Sequence, residues 1–435
     1  MARGRPDSQP LKENHWRINK IMKQKTYLGA ISATVFALGA CTSAIASNYT
    51  VGGPIQSHYF LPNWGANGQT VSIIPTLEGM TTVTAGPPGS KPAHMVPDPK
   101  GQFMFSINHG GNSLSVFDAK SGEFIKQIIT GSENSKKGQG HQYYWSPDGD
   151  RLYVTELDDD SVVEIDARKL EVSRRAEDVA DFPFGMVPAW DEGYLYVIGE
   201  GPGPVEVERP GNSVTQLDLT TFKPLKKIQV GKAPHAAAYT NGKVYVGNIA
   251  KGHRSVSVID AAKGEVVKTI DVDYENPHFL EEPASGNHLL IVASKEVPEL
   301  VLIDVRSDEV VGHFKAEEPD IGLNKIRHPI WNPSGESLYF PIGFNDGSSR
   351  IYQISVPDLK VLSISDPAPT VVHMLQWNKD NNRMYAASEG NAKKGIPPGV
   401  SIFKSRGDGS LKKLADIFAD LPDGEEIKGH HGSLN

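Results

Sequence analysis

Short runs of alternating apolar and polar residues follow one another along most of the chain, and each run ends at a cluster of Gly, Pro, Asn, Asp or Ser. A period of two punctuated by turn residues predicts an all-β protein built from many short strands. The stretch from Pro92 shows the unit. A first strand over 94–97 leads through a turn at 98–101 to a second strand over 102–108. After a turn at 110–112 comes a third strand over 113–118, then a hairpin signal at Ser121-Gly122 and a fourth strand over 123–130. The third and fourth strands recur as SVVEIDARKLEV, SVTQLDLTTFKPLKKIQV, SVSVIDAAKGEVVKTIDV and LVLIDVRSDEVVGHF. Each third strand ends on an aspartate (Asp118, Asp166, Asp218, Asp260, Asp304). A short carboxylate there bonds back to turn N–H groups, so these residues read as structural.

The copies line up on a histidine. His94, His141, His235, His278, His328 and His373 hold one place in the repeat, with spacings of 47, 94, 43, 50 and 45. The interval of 94 contains a further copy, PFGMVPAWDEGYLYVIGEG from Pro183, with Gly185 where the others have histidine. A period of about 47 matches a four-stranded propeller blade. Seven full copies are present. Ahead of them, 58–64, 70–75 and 80–85 read as second, third and fourth strands without a first, and 425–435 is left over to supply it. The expected architecture is therefore an eight-bladed β-propeller closed by N- and C-terminal strands sharing a blade, with seven blades as the alternative if the Gly185 copy does not form. Such closure removes sheet edges that invite aggregation. Pro/Gly-rich loops at 201–211 and 391–399 lengthen two blades, and the first is expected to admit or cover a ligand beside the Gly185 gap.

The N-terminus changes the picture of where this propeller works. Arg17, Lys20, Lys23 and Lys25 precede an apolar stretch over 27–40 that is too short to span a bilayer comfortably. Residues 1–46 read as an N-terminal extension and export signal, with the start at Met1 or Met22, and 47–435 as one propeller domain. Two processing sites fit. Ala44-Ile45-Ala46 suits cleavage after Ala46, and Leu38-Gly39-Ala40-Cys41 resembles a lipobox that would put a lipid anchor on Cys41. Cys41 is the single cysteine of the chain. Its removal or acylation leaves no thiol for catalysis, disulfides or metal ligation, in keeping with a periplasmic location. Hydrophobic content is 38 % and the formal charge −8. No basic patch with interleaved aromatics appears, which argues against a nucleic-acid partner.

The chemistry rests on the histidines. In a propeller the first strand of each blade is innermost, so the six should ring one mouth of the central channel. His430 and His431, if the closing strand runs through them, add a seventh blade to the ring. Imidazole is a common ligand for copper, zinc, nickel and iron. His235, His278, His328 and His373 sit on four consecutive blades and, with His430 and His431, are the expected metal ligands. The ends of the second strands bring Asn108, His109, Glu156, Glu200, Asn248, Lys295 and Glu389 to the same face. Arg327, beside His328, is placed to hold an anion or a cofactor carboxylate. The tryptophans Trp64, Trp145, Trp190, Trp331 and Trp377 read as packing between blades. No nucleophile elbow, phosphate loop or zinc-protease signature appears.

The units SPDGDRLYVTELDDDSVVEIDARKLEV and GKVYVGNIAKGHRSVSVIDAAKGEVVKTIDV resemble the YVTN-type propeller repeat over nearly the whole mature chain. The eight-blade count makes the chain similar to cytochrome d1-type propellers. That resemblance implies that His94, His141, His235, His278, His328 and His373 bind or flank a redox cofactor of the haem d1 kind. There is no C-x-x-C-H motif for covalent haem. By its site the chain also resembles multicopper propellers, which implies copper held by channel histidines. The expected function is thus a periplasmic propeller binding haem or copper in respiratory or cofactor-handling chemistry, with a small molecule or a redox protein as partner. The alternative is a non-catalytic binding scaffold, and a lactonase-like hydrolase would need carboxylates such as Glu156 and Glu200 beside histidine on a metal.

Overall fold

A computed structural model describes residues 59–64, 70–76, 79–84, 90–132, 140–201, 210–378, 382–419, 428–429 and 433–434. These residues fold into eight antiparallel sheets. Seven are consecutive meanders: blade 2 (92–129), blade 3 (140–176), blade 4 (183–229), blade 5 (234–271), blade 6 (277–315), blade 7 (321–364) and blade 8 (372–418). The eighth sheet, blade 1, joins the strands Tyr59–Trp64, Thr70–Thr76 and Gly79–Thr84 to Lys428–Gly429 and Ser433–Leu434. Tyr59 pairs with Leu434 and Asn63 with Gly429. The ring is therefore closed by the two ends of the chain, and the blade that begins at Pro183 forms fully. His430 and His431 lie outside the described residues.

The strands form where the alternation places them, because each blade buries both faces of its middle strands against its neighbours. The second strand of blade 6, Leu289–Ser294, is buried at every position. Clusters such as Phe105, Ile107, Val116, Val154 and Val163 fill the space between successive blades. Trp145 packs edge-on against Phe105, and Trp377 against Tyr339. The outermost strands are the polar exception to full burial: Ile129, Leu225, Val267 and Val311 are all more than half exposed. The third-strand aspartates do what their position predicts. Asp118 accepts the Ser121 amide at 2.7 Å, Asp218 the Thr221 amide at 2.5 Å, and Asp304 the Arg306 amide at 2.9 Å.

Two departures from the expected strand pattern matter for the site. In blade 7 the expected first strand around His328 is split into Ile321–Ile326 and the short Ile330–Trp331. Arg327 to Pro329 leave the ladder, and Pro329 has no N–H to give it. In the other blades the ladder slips near the start of the first strand. Pro92 pairs with Asn108 but His94 with Ile107, Pro183 with Gly199 but Gly185 with Ile198, Pro277 with Ser294 but Phe279 with Ala293, and Val372 with Ser388 but Met374 with Ala387. The extra residue is Ala93 in blade 2, Phe184 in blade 4, His278 in blade 6 and His373 in blade 8. Such a bulge re-aims a side chain, and Phe184, His278 and His373 line the central cavity.

Candidate functional site

Every one of the six repeat histidines lines a single cavity of about 270 Å³. The first strands of successive blades lie against one another, so their bulges stack around it. His278 and His373 are the bulged residues of blades 6 and 8, and the slips of blades 3 and 5 span His141 and His235. His94, His141, His235 and His278 are all under 10 % exposed.

The imidazoles run in an arc of ring contacts. His94 lies 5.0 Å from His141 between ring centroids, His141 3.8 Å from Phe184, Phe184 4.2 Å from His235, and His235 3.9 Å from His278. Phe279 bridges His278 and His328 at 4.5 and 4.4 Å, and His328 is 5.5 Å from His373. The expected gap at blade 4 is thus occupied. By register Gly185 holds the place of His94, and Phe184 holds the place of His278 and His373. The Phe184 ring stacks between His141 and His235. Gly185 has a separate reason to be glycine: a Cβ there would stand 2.5 Å from the His235 carbonyl oxygen. The proline before the ring residue (Pro183-Phe184, Pro234-His235, Pro277-His278) carries this alignment in the sequence.

A second tier of residues stands behind the arc. In five blades the residue after the second strand hangs by its amide on a carbonyl two residues before the bulge position: His109 on Lys91, Glu200 on Phe182, Ile249 on Ala233, Lys295 on Asn276 and Glu389 on Val371. Three of these meet the imidazoles. His235 donates from Nδ1 to Glu200 Oε2 at 3.1 Å, and His373 from Nδ1 to Glu389 Oε1 at 2.7 Å. Lys295 Nζ lies 3.5 Å from His278 Nε2. His141 donates from Nδ1 to the Phe184 carbonyl at 3.0 Å, and His278 from Nδ1 to Asn276 Oδ1 at 3.2 Å. Four imidazoles therefore carry their proton on Nδ1 and their lone pair on Nε2. That is the arrangement of metal-ligating histidines, whose second nitrogen is tied to a carbonyl or carboxylate.

Burial keeps His278, His328 and His373 neutral. His278 and His328 are held well below the ordinary histidine range by desolvation, with neighbouring His235 and His373 adding to the shift. His373 is pushed down to about 3, by burial first and then by Arg327 and Lys295. Lys295 and Arg327 line the same cavity, and burial lowers both. Arg327 is buried and reaches Glu389 at 3.5 Å. Glu156 is almost fully buried at the end of its strand, and burial raises its carboxyl to about 7 against the pull of the Thr130 hydroxyl and Arg175.

Among the described residues, one group of three or more potential ligands has its ligand atoms within 4.8 Å of one another: His94, His109 and His141. The four consecutive histidines expected to hold a metal, His235, His278, His328 and His373, do not form such a group. The His235 and His278 rings are packed nearly face to face, 33° apart, so their nitrogens do not converge. Asn108 and Asn248, expected on this face, are spent in the sheet: Asn108 Nδ2 donates to Ser113 and Ser115 hydroxyls, and Asn248 Nδ2 to those of Ser255 and Ser257. Of the loop expected to cover a ligand, residues 202–209 lie outside the described residues.

Among solved structures, the chain is similar to hydrazine synthase of Kuenenia stuttgartiensis, at 16 % identity and a TM-score of 0.51, covering 72 % of this chain and 95 % of that one. It is also similar to dihydro-haem d1 dehydrogenase NirN in complex with DHE, at 14 % identity and a TM-score of 0.53, covering 72 % and 73 %. At these identities the likeness is one of fold alone. No curated protein matches the sequence. The sequence model of a propeller family, described as lactonase, 7-bladed beta-propeller, matches residues 70–296. That description counts seven blades where the described residues form eight sheets, and the matched stretch ends within blade 6. With more than half of its length matched, this chain belongs to the lactonase-type β-propeller family.

Proposed function

We propose that this protein is an exported, periplasmic propeller that holds a redox-active cofactor, copper or haem-like, on its histidine arc. It would serve respiratory or cofactor-handling chemistry with a small molecule or a redox protein as partner. The observation that carries the reading is the set of Nδ1–H bonds from His141, His235, His278 and His373 to fixed oxygens. Together with burial that keeps His278, His328 and His373 neutral, it presents Nε2 lone pairs where a metal would need them.

The cavity of about 270 Å³ is close to the lower end of the range for organic ligands, about 300 Å³. His94 and His141 on the arc, with His109 behind them, have ligand nitrogens within 4.8 Å of one another. Lys295 and Arg327 on the same wall favour an anionic substrate or counter-ion. Copper bound there supplies one-electron redox chemistry and a soft Lewis acid. The protein's own residues orient the imidazoles and hold the anion.

The test is elemental analysis with a visible spectrum on protein purified from its native host. Stoichiometric copper, or iron with a haem band, is expected. Absence of both, with no uptake on reconstitution, would overturn the reading. The family match over 70–296 favours one second reading, metal-assisted lactone hydrolysis using Glu156 or Glu200. Lactone turnover by zinc-loaded protein, lost in Glu156→Gln or Glu200→Gln, would select it instead.

A further inference from the structure

His109 stands apart from the arc. It occupies the second-tier place that other blades give to Glu200, Ile249, Lys295 and Glu389. Its turn is pinned to the start of its own blade, with the His109 amide on the Lys91 carbonyl and the Gly110 amide on the Ser90 carbonyl, both at 2.8 Å. This brings its ring 5.8 Å from His94 and 5.1 Å from His141, while those two are 5.0 Å apart. The three centroids form a nearly equilateral triangle. Their ligand nitrogens already lie within 4.8 Å of one another.

We propose that His94, His109 and His141 bind one first-row transition-metal ion, copper by preference, as a discrete three-imidazole centre. The proposal rests on the reading of the arc as a cofactor site and assigns one ion to one place within it. Metal–nitrogen bonds of about 2.0–2.1 Å in a tetrahedral site put ligand atoms roughly 3.4 Å apart, so small side-chain rotations complete the site. The His141 proton is already committed to the Phe184 carbonyl, which sets its lone pair on Nε2. His94 and His141 line the cavity and His109 does not. The ion therefore sits in the cavity wall with three protein ligands and its fourth position facing inward. That is the pattern of a reactive centre, whereas a structural site is closed by four protein ligands. The ligand set has no thiolate, and for nitrogen donors the affinity order peaks at copper.

The test uses the full chain, with cobalt(II) as a spectroscopic probe and copper(II) as the bound metal. His109→Ala and the more conservative His109→Gln are each expected to lower uptake by one equivalent per chain. Both should also remove the visible bands of four-coordinate cobalt. The rise in melting temperature that bound metal gives the parent protein should shrink with them. His278→Ala, on the far side of the arc, should leave those bands in place. Unchanged stoichiometry and bands in both His109 variants would overturn the proposal, as would a parent protein that binds neither metal. If the His109 variants abolish uptake while His278→Ala and His373→Ala have no effect on any cofactor, the three-imidazole centre stands and the wider arc fails as a cofactor site.

Discussion

At the scale of single residues the site is a set of buried polar groups whose protonation the fold has fixed. Glu156 makes this measurable. Its carboxyl is raised to about 7 from an ordinary 4.5, mainly by burial. A group raised in the folded state contributes stability that is complete below the unfolded value and is lost as pH climbs through the folded value. Between pH 5 and 8 this residue should therefore cost the fold roughly 3 kcal/mol. Glu156→Gln, which cannot ionise, should be more stable than the parent at pH 8 and gain little at pH 5, as read by urea unfolding at the two pH values. An equal difference at both would mean that Glu156 is not held protonated. The buried histidines work in the opposite sense. His278, His328 and His373 have folded values depressed below 6.5, so the stability they contribute is present above about 6.5 and is lost as pH falls.

At the scale of elements, the slips at the start of the first strands of blades 3, 4, 5, 6 and 8 build much of the site. They bring Phe184, His278 and His373 inward, and the close approach of neighbouring strands leaves little tolerance. Gly185→Ala would place a methyl 2.5 Å from the His235 carbonyl, and overpacking of this kind costs about 1–3 kcal/mol. The same change should displace His235 and weaken metal uptake. Denaturant melts and metal titration check both, and a variant as stable as the parent would show that the strand can slide without loss. This is also where sequence reading stopped short. The period, the turn aspartates and the six histidines were legible because strand alternation and turn chemistry are local. Phe184 was not, because its equivalence to His278 and His373 is set by hydrogen-bond register, while Gly185 shares the place of His94 alone. His109 was visible as a histidine on the right face, but its closeness to His94 and His141 depends on how the turn hangs on Lys91. The site's convergence is a tertiary fact.

At the scale of the whole molecule, residues of seven blades line one cavity, and blade 1 closes the ring by pairing strands from near both ends of the chain. The shared blade was legible early, since three strands lacked a first and a leftover segment could supply it. Removing residues 428–435 takes away the partners of Tyr59–Trp64. That should expose a sheet edge, lower the melting temperature by several degrees and promote association. Thermal melts with light scattering test this, and an unchanged monomer with an unchanged melt would show that blade 1 closes without them.

The pairing of Tyr59 with Leu434 also sets a schedule. It joins positions separated by nearly the whole propeller, and contacts between such distant parts of a chain form slowly, because the closing entropy is lost before the contacts reward it. Until that last pairing is made, the imidazoles belong to a curved stack of sheets with an open side, and a metal ion can reach them in any order and number. Once it is made, the cavity has a fixed set of neighbours. The chain's final residues are thus a clasp on the chemistry as well as on the fold: they determine when the site begins to discriminate.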